Sequence, residues 1–412
     1  MGRNLHGAYG SINEVPWNSI AFAPPEGADQ LKRFFSGDIR EGEAPFFYHG
    51  VGWHTPDNRA LIEKMLEGEC GADRNEYDGI TFASGMSAIW MFLLSVCAPG
   101  KAVIYSGKIY GCTFVVCHEL LSLLGIPTYR VDNPGDENAW RKAAKKAIAD
   151  GHDVGCMFGE TPSNPLTDCF LIRMLAKVAR EFNAVSAIDN TIMTHALQKP
   201  FSWGVDAVII SASKGLNGSS TDLGGVLLAK KNLFEEMSAQ KFFHTMRPVM
   251  SPSVANCLIK HLPYLEDSMK KHSENARLLS IYLLTELAED NFVDNVYYPT
   301  VQYPWGSEIF RDQMNGCGGP LLSFEIKGGI DKAEAFVDAL EYAATMVHIC
   351  DHRYTLVNCS GATTHADMDE EVQQAVGIKQ NLIRVSPSAE DEKTFREYLI
   401  PDFRKAFEKV FR

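Results

Sequence analysis

Over residues 58–69 apolar side chains recur at helical spacing, with Leu61, Ile62, Met65 and Leu66 on one face, which predicts an amphipathic helix. The period then changes. Residues 79–82 read as a short strand, Ser84-Gly85 as a turn, and the run from Met86 as the start of a helix. Apolar strands follow at 102–106, 128–131, 154–158, 185–189, 207–211 and 224–229, and helical patterns at 113–124, 138–150 and 172–182. Strands alternating with helices predict βαβ units in a mostly parallel sheet whose chemistry gathers at the strand C-terminal ends. Ser84, Glu160, Asp189, Ser211 and Lys214 all fall at such ends. From about residue 250 a long helical region carries Leu258, Leu262, Leu265, Met269 and Leu279. It leads to strands at 319–326 and 382–386 and helices at 332–342 and 391–410, a smaller α+β unit.

Residues 1–60 show little periodicity and are rich in Gly, Pro and aromatics, so they read as an extended arm ordered by a neighbour. The expected organisation is therefore an arm over 1–60, a large domain over 61–250 and a C-terminal α+β domain over 251–412. The cluster Phe46-Phe47-Tyr48-His49-Gly50 in the arm reads equally as a packing anchor or as part of a site.

Composition narrows the function classes. The chain has 412 residues, 45% hydrophobic and 22% charged, as expected of a soluble globular protein of two or three domains. A net charge of -13 leaves no basic face for nucleic acid or an anionic membrane. Ten cysteines are scattered with no CxxC pair, which predicts reduced thiols rather than a disulfide frame or a metal site. No apolar run approaches membrane-spanning length and the N-terminus lacks a signal-peptide core, so the expected location is the cytoplasm.

The chemistry centres on Ser211-Ala212-Ser213-Lys214, a lysine just past a buried apolar strand and followed by Gly215, Gly218, Gly224 and Gly225. Burial there lowers an amine's basicity and makes it a nucleophile toward a carbonyl. Asp189 ends another apolar run. A Schiff-base lysine and an acid for a pyridinium nitrogen are what pyridoxal 5'-phosphate (PLP) requires of a protein. Read alone, Asp189 could instead cap a helix, and Ser84-Gly85 is as consistent with ordinary capping as with a phosphate at a helix N-terminus.

The ordered motifs Ser84-Gly85-Met86, Tyr110-Gly111-Cys112-Thr113, Glu160-Thr161-Pro162-Ser163-Asn164-Pro165, Asp189-Asn190-Thr191, Ser211-Ala212-Ser213-Lys214, Gly224-Gly225 and Leu382-Ile383-Arg384-Val385-Ser386 carry a resemblance. Together they resemble the Cys/Met-metabolism family of PLP enzymes, which includes cystathionine gamma-synthase, the cystathionine lyases and methionine gamma-lyase. The resemblance implies an α/β fold of the aspartate-aminotransferase type, PLP fold type I, and a tetramer of two dimers that share active sites. It implies Lys214 as the cofactor lysine and proton carrier, with Asp189 on the pyridinium nitrogen and Thr191 beside it. Gly85, Met86, Ser211 and Ser213 would hold the phosphate. Tyr110 would stack on the ring and act on the leaving group, while Arg384 and Asn164 would hold the substrate carboxylate. Cys112 matches methionine gamma-lyase in particular, with a structural thiol as the alternative.

Two departures stand out. In the family a Tyr-x-Arg of the arm reaches the neighbour's phosphate; here it reads Tyr48-His49-Gly50, so the resemblance implies Tyr48 as a phosphate contact while the arginine is missing. The family's Ser-Leu-Gly segment is replaced by residues 349–354, Ile-Cys-Asp-His-Arg-Tyr, which is expected to bring charge and an aromatic to the substrate side. The expected reaction is γ-elimination from a γ-substituted L-amino acid with a sulfur, oxygen or halide leaving group. The alternatives are γ-replacement, a β-lyase, and a catalytically silent relative. A nicotinamide-binding enzyme would share the βαβ pattern, but no GxGxxG follows the first strand.

Overall fold

The computed structural model describes residues 27–29, 32–33 and 55–412, apart from 98–99, 288–289 and 367. Tyr48 and nearly all of the expected arm lie outside them. The first long helix, α1 (Pro56–Cys70), begins where Pro56 supplies a helical φ and Thr55 accepts the Asn58 N–H, and it ends at Gly71 with φ +60. Its predicted face, Leu61, Ile62, Met65 and Leu66, is buried.

A seven-stranded sheet follows, built from β1 (Tyr77–Phe82), β2 (Lys101–Ser106), β3 (Thr128–Val131), β4 (Asp153–Glu160), β5 (Val185–Asp189), β6 (Ala207–Ser211) and β7 (Gly225–Lys230) in the order β1-β7-β6-β5-β4-β2-β3. The strands from β3 across to β6 pair in parallel. The connection from β6 to β7 contains no crossover helix, so β7 returns antiparallel, and β1 pairs antiparallel with it at the edge. Two reversals leave β1 running in the same direction as β6. The ends of β1, β4, β5 and β6 therefore reach one edge of the sheet, with Glu160 beside Asp189 and Ser211 beside Gly225.

Alternate side chains of the inner strands enter separate cores on the two faces, as the two-residue strand period requires. Val208 and Ile210 join α1 in one core, and Ala207 and Ile209 lie with α2 (Gly85–Val96) on the opposite face. On the same side as α1 lie the buried faces of α4 (Glu137–Ala149) and α5 (Ile172–Glu181). The stretch expected as one helix over 113–124 opens as α3 (Gly111–Val115) and passes through a π-type turn at Val116–Leu120.

The long α6 (Leu265–Thr285) leads into a second, five-stranded sheet of order β10-β11-β12-β9-β8. Its strands are β8 (Val293–Tyr297), β9 (Leu322–Ile326), β10 (Ala344–Thr345), β11 (Leu356–Cys359) and β12 (Leu382–Ser386). Sequence patterning showed only β9 and β12. β10 is two residues long and β8 buries Val296 alone, so neither has a readable period. Helices α7 (Ile330–Ala339) and α8 (Ile400–Phe411) cover this sheet through Phe324, Phe336, Phe403 and Phe407. No helix of the described residues is long and apolar enough to cross a membrane.

One carboxylate ties α8 to the bend that leads into β10. Asp402 accepts the backbone N–H groups of Glu341, Tyr342 and Ala343 at 2.8, 3.0 and 3.0 Å. Asp402→Ala orphans three amides, and the expected loss is about 3 kcal/mol of unfolding free energy, read as a lower denaturant midpoint.

Candidate active site

The strand ends line one cleft with residues of the second unit. Lys214 lies three residues past β6 on a turn closed by hydrogen bonds from the Asn217 and Gly218 N–H groups to its carbonyl, at 3.0 and 2.9 Å. The side chain enters the cleft, where Nζ lies 2.8 Å from Nδ1 of His348. Burial first, and then the Arg384 guanidinium, pulls the amine down to about 8.

Asp189 and Glu160 end adjacent strands. Asp189 accepts the Thr191 N–H at 2.9 Å, and Thr191 Oγ1 accepts the Ser211 N–H at 2.7 Å, which locks the ends of β5 and β6 together. Burial pushes the Asp189 carboxyl up. Among the described residues no lysine or arginine forms an ion pair with it. Glu160 accepts the Tyr110 N–H at 2.9 Å and the Asn164 N–H at 2.6 Å, so one side chain places both of those residues. Burial and, behind it, the Asp189 charge push Glu160 well above the carboxylate range.

At the other end of the cleft the first turn of α2 carries Gly85 and Met86, with Ser84 capping through its side chain to the Ser87 N–H. A Cβ on Gly85 would lie 2.6 Å from Ser211 Cβ, and one on Gly225 would lie 2.2 Å from the Ser84 carbonyl oxygen. Glycine at both positions is what lets the helix N-terminus press against the end of β6, where its N–H groups favour an anion. Ser211 lines this end as well. The Ser213 hydroxyl bonds the Gly224 peptide, donating to its carbonyl at 3.3 Å and accepting its N–H at 3.0 Å.

Arg384 rises from β12 and is 2% exposed, with Nη1 donating to Asn164 Oδ1 at 3.1 Å and Nη2 to the Val347 and His348 carbonyls at 2.8 and 3.3 Å. Tyr110 lines the cleft at the start of α3, and the exposed Cys112 donates to its hydroxyl at 3.4 Å. Cys112 is thus a rim residue and not a buried structural thiol. Burial, and then the Cys112 hydrogen bond, raises the Tyr110 phenol.

Segment 349–354 differs from its expected part. Ile349 lines the cleft, but Asp351 turns back to accept the Arg353 and Tyr354 N–H groups, and the His352 N–H donates to the Gly218 carbonyl at 2.8 Å. Arg353 and Tyr354 pair with each other outside, the guanidinium 5.3 Å from the ring centroid. The polar group that this stretch gives to the cleft is His348, one residue earlier. Sequence reasoning missed it, and gave Glu160 no role although the residue stood in a quoted motif at a strand end.

A cleft with an anion-favouring helix end, a buried uncompensated carboxylate and a weakly basic lysine fits PLP in its donor set. Comparison with known proteins agrees. A family model described as Cys/Met metabolism PLP-dependent enzyme matches residues 37–408. The chain is 32% identical to an O-succinylhomoserine sulfhydrylase of Pseudomonas aeruginosa, over 93% of this chain and 88% of the relative. It is 30% identical to an L-methionine gamma-lyase of Fusobacterium nucleatum, over 92% of each. Among solved structures, a putative O-acetylhomoserine (thiol)-lyase of Campylobacter jejuni carrying N'-pyridoxyl-lysine-5'-monophosphate has a TM-score of 0.83 at 26% identity, over 98% of each chain. Cystathionine gamma synthase of Xanthomonas oryzae in complex with cystathionine has a TM-score of 0.80 at 27% identity, over 98% of this chain and 94% of that one. With the fold, the donor set and the family match in agreement, the chain belongs to the Cys/Met metabolism family of PLP-dependent enzymes, acting in sulfur amino-acid metabolism.

Proposed function

We propose that the protein catalyses γ-elimination from a γ-substituted L-amino acid, releasing the γ-substituent, a 2-oxo acid and ammonia. The observation that carries this reading is the Tyr110 phenol in the cleft wall, bonded to the Cys112 thiol at the rim. A phenol kept protonated by burial is a proton donor suited to a departing sulfur or oxygen. Lys214 would hold the cofactor, Asp189 its ring nitrogen with Thr191 fixing the carboxylate, and Gly85, Met86, Ser211 and Ser213 its phosphate. Bound there, PLP supplies the electron sink that makes the substrate α-hydrogen acidic.

The chain's own residues do the rest. Arg384 offers a planar fork to the substrate carboxylate, and Asn164, placed by Glu160, holds that fork through Oδ1. A substrate carboxylate would take the Arg384 donors now given to the Val347 and His348 carbonyls. The Lys214 amine, with its basicity lowered to about 8, would take the proton from Cα near neutral pH, give it up to the bound cofactor, and only then be free to take a second from Cβ. Tyr110 donates to the leaving atom on Cγ. The assembly that would go with this site is a tetramer of two dimers that share active sites. The large domain over 61–250 would carry the cofactor and the domain over 251–412 the carboxylate clamp.

The relative at 32% identity is a sulfhydrylase, which supports γ-replacement as the second reading. An assay for 2-oxo acid and ammonia separates the two. It would be run on methionine, homocysteine, cystathionine, cysteine and O-acylated or halogenated homoserine-type amino acids, each with and without added thiol. Elimination predicts 2-oxo acid from γ-substituted substrates without thiol. Product only from cysteine-type substrates, or only when thiol is added, rejects it.

A further inference from the structure

His348 has no part in that scheme, yet its Nδ1 lies 2.8 Å from Lys214 Nζ. The residue is fixed on both sides. Until a substrate carboxylate takes its donors, Arg384 Nη2 donates to the His348 carbonyl and to that of Val347, and two residues on the Cys350 N–H donates to Ser386 Oγ at 2.8 Å. The ring forms part of the cleft wall. At this distance one nitrogen donates a hydrogen to the lone pair of the other, and the two are not both cations, since these would repel. The groups facing the pair are Arg384 from β12, Cys350 and Asp351 from the segment after His348, and Cys112 from α3. Tyr110, Glu160 and Asp189 line the same cleft. Burial first, and then the Lys214 charge, pushes the imidazole down to about 4, so it is the uncharged partner at neutral pH.

We propose that His348 is a positioning residue for Lys214, accepting through Nδ1 the hydrogen bond of the free amine, aiming it into the cleft and coupling its protonation to the imidazole. This rests on the reading of Lys214 as the reacting amine. An uncharged acceptor favours the ammonium over the amine and so opposes burial. With it, Lys214 can both take and return a proton near neutral pH. The ring must then carry its own hydrogen on Nε2.

The test is acetylation of Lys214 by acetic anhydride across a pH series, in the full-length chain stripped of cofactor and read by peptide mass spectrometry. Wild type is expected to label with a midpoint at about 8. His348→Leu removes the acceptor and keeps an apolar wall, and the midpoint is expected to fall by about one pH unit. His348→Asn, whose amide oxygen can stand where Nδ1 stood, restores it. An unchanged midpoint in the leucine variant, or an asparagine variant no different from leucine, overturns the proposal. Should the leucine variant fail to fold, nitrogen-15 NMR of the wild-type chain labelled at histidine decides: the hydrogen on Nε2 supports the proposal and the hydrogen on Nδ1 overturns it. Labelling is read without cofactor, so its failure is distinct from failure of Lys214 as the attachment point, which the visible spectrum of the Lys214→Ala protein reports.

Discussion

Lys214→Ala is expected to lower kcat by at least about 10³-fold and to remove the visible absorption band of the PLP-loaded protein. Both losses trace to one nitrogen. On the proposed reading the amine is the reactive base; burial and Arg384 lower its basicity, and the turn after β6 holds its carbonyl with two backbone N–H groups. Alanine leaves that turn intact, since its hydrogen bonds use the backbone alone. The variant should therefore fold like wild type by circular dichroism, and the effect should be confined to chemistry. A visible band unchanged in Lys214→Ala would place the cofactor elsewhere.

The second large effect is expected at Asp189. Its carboxyl lies buried beside Glu160 at the ends of β5 and β4, and burial disfavours its charge in the cofactor-free chain. A cationic ring nitrogen would reverse that balance, and the carboxylate would in turn keep the nitrogen protonated. Asp189→Ala removes the charge that supports the electron sink. A fall in kcat/KM on the order of 10²–10³-fold is expected, with a visible band displaced from that of wild type. Thr191 and Ser211 stay bonded to each other through the Ser211 N–H, so the strand ends should hold. An Asp189→Ala enzyme within about threefold of wild type would return this residue to a purely capping role.

Much of the site was legible because its residues stand at the ends of strands whose period is plain. Asp189, Ser211, Lys214 and the first turn of α2 follow from the alternation itself, and one sheet edge brings them together. The direction of β1 was not legible, because chain order does not say that the short connection to β7 turns the sheet's edge antiparallel. Nor was the second sheet, where β8 and β10 are too short or too exposed to show a period. His348 lies in a stretch between β10 and β11 with no periodicity, and meets Lys214 across 134 residues of chain. A lone histidine at such a position carries no local signal, and only the fold shows where it points. Glu160 stood in a motif, but its work of holding two backbone N–H groups appears only when Tyr110 and Asn164 come together.

On the proposed reading Lys214 carries the cofactor. Borohydride reduction of the PLP-loaded, full-length protein fixes the pyridoxyl group to the nitrogen that holds it, and proteolysis with mass spectrometry then locates the modified peptide. The expected result is a single pyridoxyl group on Lys214. A pyridoxyl group on any other lysine, or none after loading, would contradict it.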